Sequence, residues 1–311
     1  MKNSNTKNFI KFIHINQALY KKLKIEEKKK NNKDKIISIL KSFVINCKKK
    51  LKKKNNTSAI IICLYPKTRK TCELKAVFIK KICEVMSNIV GTTLIQNDKK
   101  QKLIEVYDRD RKLSMHKGSR YHQTREGGSI HTDNVNVKET WDFLMFGCLS
   151  SSKAGGETIL VNGKALHQIL ASDFKEAKKI LEQNFIWEKR GVSDGFYIAP
   201  ILTYDKDRSP KFRYLRPYLE SAYQRKNKSL SPKQLYALDT LDAILETSSN
   251  QFRYKMIKGD ILFNLDSKVL HGRTSFSDDL NALPLDKIKG NDIKLKRTMI
   301  RVWIKEKSLQ L

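Results

Sequence analysis

From Lys102 onward the chain breaks into short β-rich segments, and this succession constrains the fold more than any other feature of the sequence. Apolar, β-branched and aromatic residues cluster in Leu103 to Tyr107, Trp141 to Leu149, Glu157 to Val161, Phe185 to Trp187, Phe196 to Leu202, Phe212 to Leu215, Asp260 to Leu265 and Thr298 to Ile304. Many strands with few helices between them predict a barrel or sandwich, mostly β with helical elaborations. Two helical insertions interrupt the series. One is expected over Lys164 to Asn184. The other opens at Ser231, where Ser231, Pro232 and Gln234 supply an N-cap, a first-turn proline and the partner of a capping box.

The front of the chain reads differently. Residues 1–57 carry 18 lysines against Glu26, Glu27 and Asp34. Their apolar positions fall at helical spacing (Phe9, Phe12, Ile13; Ile36, Ile37, Leu40, Phe43, Val44), which predicts two or three short amphipathic helices. A buried strand is expected at Ser58 to Leu64, followed by a helix with Ala76, Val77, Ile79, Ile82, Val85 and Met86 on its apolar stripe. No repeat and no Pro/Gly/Ser-rich linker divides the chain. We therefore expect a single domain, with a lysine-rich helical elaboration at 1–57 preceding a β domain at 58–311.

Charge raises the question of a polyanionic partner, because 63 Lys+Arg against 32 Asp+Glu leave a net charge of +31. The basic runs Lys28–Lys30, Lys48–Lys50 and Lys52–Lys54 contain neither arginine nor aromatic residues, however. A solvated basic surface is the better reading, and a nucleic-acid partner is disfavoured. The longest apolar runs, Ala59 to Tyr65 and Phe143 to Leu149, fall far short of the roughly 20 residues of a membrane helix, and the polar N-terminus does not resemble a secretory signal. Five cysteines (Cys47, Cys63, Cys72, Cys83, Cys148) form no Cys-x-x-Cys pair, so no disulfide framework or thiolate zinc site is expected and a cytoplasmic setting follows. Oligomeric state is not readable.

Chemistry concentrates in three places. In His131-Thr132-Asp133 the imidazole and carboxylate stand two residues apart, on the same face of an extended segment. His271 follows the strand Gly259 to Phe263. Two imidazoles and one carboxylate would leave half an octahedron open, which suits non-haem Fe(II); zinc is the competing metal, although no His-Glu-x-x-His helix is present. The third element is Arg297-Thr298-Met299-Ile300-Arg301-Val302-Trp303. Period two sends Arg297, Met299, Arg301 and Trp303 to one face, and inward-facing guanidiniums need anionic partners such as a dicarboxylate or a nearby Asp or Glu.

Taken in order, His131-Thr132-Asp133, Gly155-Gly156-Glu157-Thr158, Gly259 to Phe263 leading to Val269-Leu270-His271-Gly272-Arg273-Thr274, and the closing Arg297 to Arg301 resemble the Fe(II)/2-oxoglutarate-dependent oxygenases of the taurine dioxygenase and clavaminate synthase type, over roughly residues 100–305. The resemblance implies a double-stranded β-helix (jelly-roll) core. It implies iron held by His131, Asp133 and His271, with 2-oxoglutarate and dioxygen as co-substrates. The resemblance puts Thr158 and Arg297 in the place of the groups that hold 2-oxoglutarate; Arg301 assists Arg297, is itself the main anchor, or meets substrate. Arg297 lies 26 residues after His271, which implies a loop inserted at Asp278 to Lys294. With Asp133 present, hydroxylation is favoured over halogenation, and desaturation or ring closure stays open.

Substrate contacts are less defined. Arg125, Asn134, Arg213 and Arg216 are candidates for a small carboxylate-bearing molecule, an amino acid first among them, with Asn136 as a further polar neighbour. His14, His116, His122 and His167 read as surface or core histidines, and Cys148 as packing. The alternatives are a nucleic-acid-binding protein or demethylase using the basic surface, and a catalytically silent jelly-roll.

Overall fold

The computed structural model describes residues 8–29, 32–52, 57–109, 123–133, 135, 137–189, 195–278 and 296–307. Strand β1 (Ile10–His14) leads into helices α1 (Gln17–Lys28) and α2 (Lys33–Lys52), then β2 (Ala59–Cys63), α3 (Ala76–Val90), β3 (Gly91–Thr93), β4 (Leu103–Val106) and β5 (Gly128–His131). Next come β6 (Phe143–Ser150), β7 (Ala154–Gly155), β8 (Thr158–Asn162), α4 (Gly163–Ser172), α5 (Lys175–Leu181), β9 (Asn184–Glu188), β10 (Phe196–Pro200), β11 (Leu202–Tyr204) and β12 (Pro210–Phe212). The chain closes with α6 (Arg216–Arg225), α7 (Pro232–Glu246), β13 (Gln251–Tyr254), β14 (Asp260–Leu265), β15 (Val269–Arg273), β16 (Phe276–Ser277) and β17 (Thr298–Glu306).

Two sheets carry the architecture. The larger runs β1-β2-β14-β6-β17-β3, with β4 also on β17; the smaller runs β13-β8-β15-β5. They face one another as a jelly-roll rather than closing into a barrel, and the Phe146 ring of β6 meets the His271 ring of β15 across the gap at 5.5 Å. Alternation sorts each strand. On β17 the inward set is Met299, Arg301 and Trp303, while Ile300, Val302 and Ile304 join the core beneath α2 and α3. On the smaller sheet Ile159, Val161 and Leu270 face outward, onto a second core built with α4, α5 and α7.

The structure revises the N-terminal reading. Phe9, Phe12 and Ile13 were expected on a helix; instead Ile10–His14 is an extended strand, paired in parallel with β2 from Ile10↔Ala59 to His14↔Cys63. Five residues offer too little length to tell a helical stripe from a strand, and pairing with β2 decides it. α1 and α2 form as expected, and Ile36, Leu40 and Val44 are fully buried in the same core as the β2 residues. The Phe196 to Leu202 segment divides into β10 and β11, and the run expected as a strand to Leu215 ends at Phe212. Ser231 caps α7 as expected, accepting from the Gln234 backbone N–H while the Gln234 side chain accepts from the Ser231 N–H. All five cysteines are buried free thiols, and burial pushes Cys47, Cys63, Cys83 and Cys148 up to about 12. Among the described residues no helix is long and apolar enough to cross a membrane.

Candidate metal centre and co-substrate pocket

β5 and β15 bring the two histidines together. His131 and His271 are register partners in this antiparallel pair, and their ring centroids are 4.5 Å apart. The chain enters β5 through Gly128 at φ +99°, a left-handed turn that glycine makes without strain. Beyond His131 the backbone is clamped: Thr132 N–H donates to the Tyr214 carbonyl at 2.8 Å and Thr132 Oγ1 accepts from Tyr214 N–H at 3.0 Å. Asp133 N–H donates to Asp266 Oδ1 at 3.2 Å, in the turn between β14 and β15. The His-x-Asp triplet is thus fixed on both sides.

The donor atoms converge. Asp133 Oδ1 lies 3.5 Å from His131 Nε2 and 3.7 Å from His271 Nε2, and all three ligand atoms fall within 4.8 Å of one another. His131 Nδ1 is 2.6 Å from the Ser129 carbonyl, which can only accept, so the proton sits on Nδ1 and the Nε2 lone pair faces the cluster. Burial, reinforced by the nearby Arg301 guanidinium, pushes His271 down to about 3, leaving a neutral imidazole at neutral pH. Burial alone would raise the Asp133 carboxyl, but the Arg301 guanidinium 3.2 Å away outweighs it and holds it well below the usual carboxylate range. Two imidazoles and one carboxylate fit a divalent cation of the facial-triad type.

The same cavity is lined by Thr158, Arg297, Arg301, Arg273, Val106, Phe146, Met299 and Gly272. Arg297 is buried and stands over the Phe276 ring, with Arg273 on that ring as well, 5.2 and 5.3 Å from its centroid. Gly156 makes this possible. A Cβ on Gly156, at φ +71°, would come within 3.0 Å of Arg297 Nε and 2.6 Å of Ser152 Oγ. The backbone therefore yields the space that Arg297 occupies, with the Thr158 hydroxyl of β8 lining the same cavity. A guanidinium and a hydroxyl in the same cavity as the His-Asp-His cluster suit a dianionic co-substrate such as 2-oxoglutarate.

The other described candidates do not line this cavity. Arg213 was expected to clamp substrate. Instead its guanidinium donates to the carbonyls of Val137 and Lys138 at 2.6 and 2.8 Å and to Tyr197 Oη at 2.6 Å, so its donors secure the segment after the metal triplet. Arg216 is likewise committed, 2.7 Å from both Glu220 and Asp239 and 2.8 Å from Asp242. Neither lines the metal cavity. Arg125 lies 3.4 Å from Asp108. Asn134, Asn136, His116, His122 and the expected insertion beyond Asp278 lie outside the described residues. His14 and His167 contact Tyr65 and Tyr204, away from the cluster.

Sequence reasoning passed over Arg273 and gave Trp303 no role. Arg273 was within reach of the period-two rule, because 269, 271 and 273 share one face of β15. The Trp303 indole donates to Asp133 Oδ2 at 2.7 Å, a contact between residues 170 apart in the chain.

Residues 78–290 match the family model for the taurine catabolism dioxygenase TauD, TfdA family. The chain belongs to this family. The match ends before Arg297 and Arg301. Among curated relatives the chain is 28% identical over 151 residues to the taurine hydroxylase-like protein SAT17 of Stachybotrys chartarum, covering 47% of this chain and 37% of that one. It is 20% identical over 219 residues to FR-33289 synthase of Streptomyces rubellomurinus, covering 69% and 60%. The chain thus spans less than two thirds of either relative. Among solved structures, an asparagine oxygenase in complex with Fe(II), hydroxyasparagine and succinate superposes with a TM-score of 0.66 at 12% identity, over 94% of this chain and 93% of that one. The non-heme iron oxygenase OrfP with Fe and alpha-ketoglutaric acid gives 0.63 at 13%, over 95% and 94%. The jelly-roll expected from the sequence is the fold these TauD-type proteins share.

Proposed function

We propose that this chain is an Fe(II)- and 2-oxoglutarate-dependent oxygenase that oxidises an unactivated C–H bond of a small carboxylate-bearing substrate, an amino acid being the first candidate, with hydroxylation favoured. The observation that carries this reading is the convergence of His131, Asp133 and His271 on one cavity that Thr158 and Arg297 also line. Family membership supports it, as do the hydroxylated amino acids in the asparagine oxygenase and OrfP complexes.

When bound, Fe(II) with 2-oxoglutarate and dioxygen supplies the oxidant for C–H cleavage, 2-oxoglutarate leaving as succinate and carbon dioxide. The chain's own residues do the rest. His131, Asp133 and His271 would hold the metal through Nε2, Oδ1 and Nε2. Arg297 would take the distal carboxylate of 2-oxoglutarate through a paired guanidinium contact, with the Thr158 hydroxyl donating to the same group. Arg301 lies 3.2 Å from Asp133 Oδ2, and this ion pair supports Arg301 on the metal side and Arg297 as the anchor. Val106, Phe146 and Met299 give the cavity an apolar wall that keeps water from the reacting centre. On the substrate side this reading retains Arg125 and Asn134.

The test is direct. Anaerobic addition of Fe(II) and 2-oxoglutarate should produce the weak visible absorption of the chelate, and Asp133→Ala or His271→Ala should abolish it. Substrate-dependent succinate release across a panel of amino acids would then identify the substrate. An absent chelate band in the unaltered protein would defeat the reading.

A further inference from the structure

The Asp133 carboxylate is gripped on one oxygen only. Oδ2 accepts the Trp303 indole N–H at 2.7 Å and lies 3.2 Å from Arg301 Nη1, whereas Oδ1 is turned toward both histidine Nε2 atoms. Trp303 is itself held. It is 2% exposed, stacks on Trp141 at 4.0 Å and 15° between planes, and carries the Arg301 guanidinium 4.7 Å from its ring centroid. Gln96 secures Arg301 in turn, accepting from its Nε at 2.9 Å and donating to its carbonyl at 3.0 Å. An indole N–H on an immobilised two-ring stack has a fixed direction, and a buried hydrogen bond to a charged acceptor is among the stronger ones.

We propose that Trp303 is a positioning residue whose indole N–H, backed by the stack on Trp141, restricts Asp133 to ligation through Oδ1 alone. A carboxylate free to turn can close on a metal with both oxygens and fill a position that co-substrates need; the Trp303 bond must break before that happens. The inference rests on the metal-site reading above. Neither tryptophan lines the cavity, so both act through Asp133 rather than on a bound molecule. The two donors on Oδ2 divide the work: Arg301 supplies compensating charge, Trp303 supplies direction.

Co(II) added to metal-free protein is the probe. Trp303→Phe removes the N–H and keeps a ring on Trp141. It should weaken Co(II) binding by about 10- to 100-fold, the usual cost of losing a group that orients a ligand. It should also change the visible Co(II) bands, because the metal gains a carboxylate oxygen. Packing alone would leave that spectrum unmoved, and wild-type affinity with a wild-type spectrum in Trp303→Phe overturns the proposal. Should that variant fail to fold, the intact protein still decides. Zn(II) binding should shift one of its three tryptophan indole N–H resonances, and Asp133→Ala should displace the same signal; three unmoved signals overturn the proposal. Failure of the underlying reading looks different: the unaltered protein would bind Co(II) no better than His271→Ala.

Discussion

His131 and His271 stand opposite each other in neighbouring antiparallel strands, 140 residues apart in the chain and 4.5 Å apart between ring centroids. The pairing register of β5 on β15 is therefore a determinant of the metal site. A slip by one residue would send one imidazole to the outer face, where Ile130 and Leu270 pack against the helices. The clamps on Thr132 and Asp133 oppose such a slip.

Arg297, just before β17, and Arg301 within it should separate by what their loss impairs. Arg297→Ala should raise the 2-oxoglutarate concentration for half-saturation by about 10- to 100-fold, the equivalent of losing hydrogen bonds to a charged group, with Co(II) affinity preserved. Arg301→Ala should instead change Co(II) binding and leave the 2-oxoglutarate requirement nearly unmoved, because its contact is with Asp133. Paired titrations of metal and 2-oxoglutarate check both; the reverse ranking would reassign the anchor.

Gly156→Ala should behave as a milder copy of Arg297→Ala. The added Cβ meets Arg297 Nε at 3.0 Å and Ser152 Oγ at 2.6 Å, and the residue keeps a left-handed backbone at φ +71°. A stability loss of about 1–3 kcal/mol is expected from the strained backbone. A raised 2-oxoglutarate requirement in the fraction that folds would accompany it. Urea unfolding and co-substrate saturation curves measure the two effects.

Acid should destabilise the metal-free protein through His271. Its imidazole is held down to about 3 when folded, against an ordinary value of 6.5, so the unfolded chain binds the extra proton first. The stability it permits is complete above about pH 6.5 and erodes as pH falls toward 3. Denaturant midpoints between pH 7 and 4 should fall for the unaltered protein, and fall less for His271→Gln.

The lysine-rich front should be as necessary to stability as the β core. Leu40 of α2 is fully buried, and Leu40→Ala should cost about 2–5 kcal/mol through the cavity it leaves. Ser231→Ala, which removes the α7 cap, should cost about 0.5–2 kcal/mol. Urea midpoints would rank the two.

Local periodicity carried the sequence reading a long way. Period two put Arg297, Met299 and Arg301 on one face, and all three line the cavity. The capping box at Ser231 marked the start of α7. What periodicity could not supply is partnership between distant residues. Arg213 and Arg216 look alike in the sequence, yet one is spent on the carbonyls of 137 and 138 and the other on three carboxylates. The Trp303 contact with Asp133 depends on β17 crossing the sheet opposite β5, a tertiary fact with no local signal. β1 was misread for a related reason, since its extended form is imposed by pairing with β2.

That pairing has a practical corollary. β1 is the rim of the larger sheet, and α1 and α2 are the bridge that returns the chain to lie alongside it in the same direction. A fragment starting at residue 58 would leave β2 with a bare row of backbone donors and acceptors, an invitation to self-association. Trimming the basic front to obtain a tidier molecule would manufacture a sticky one.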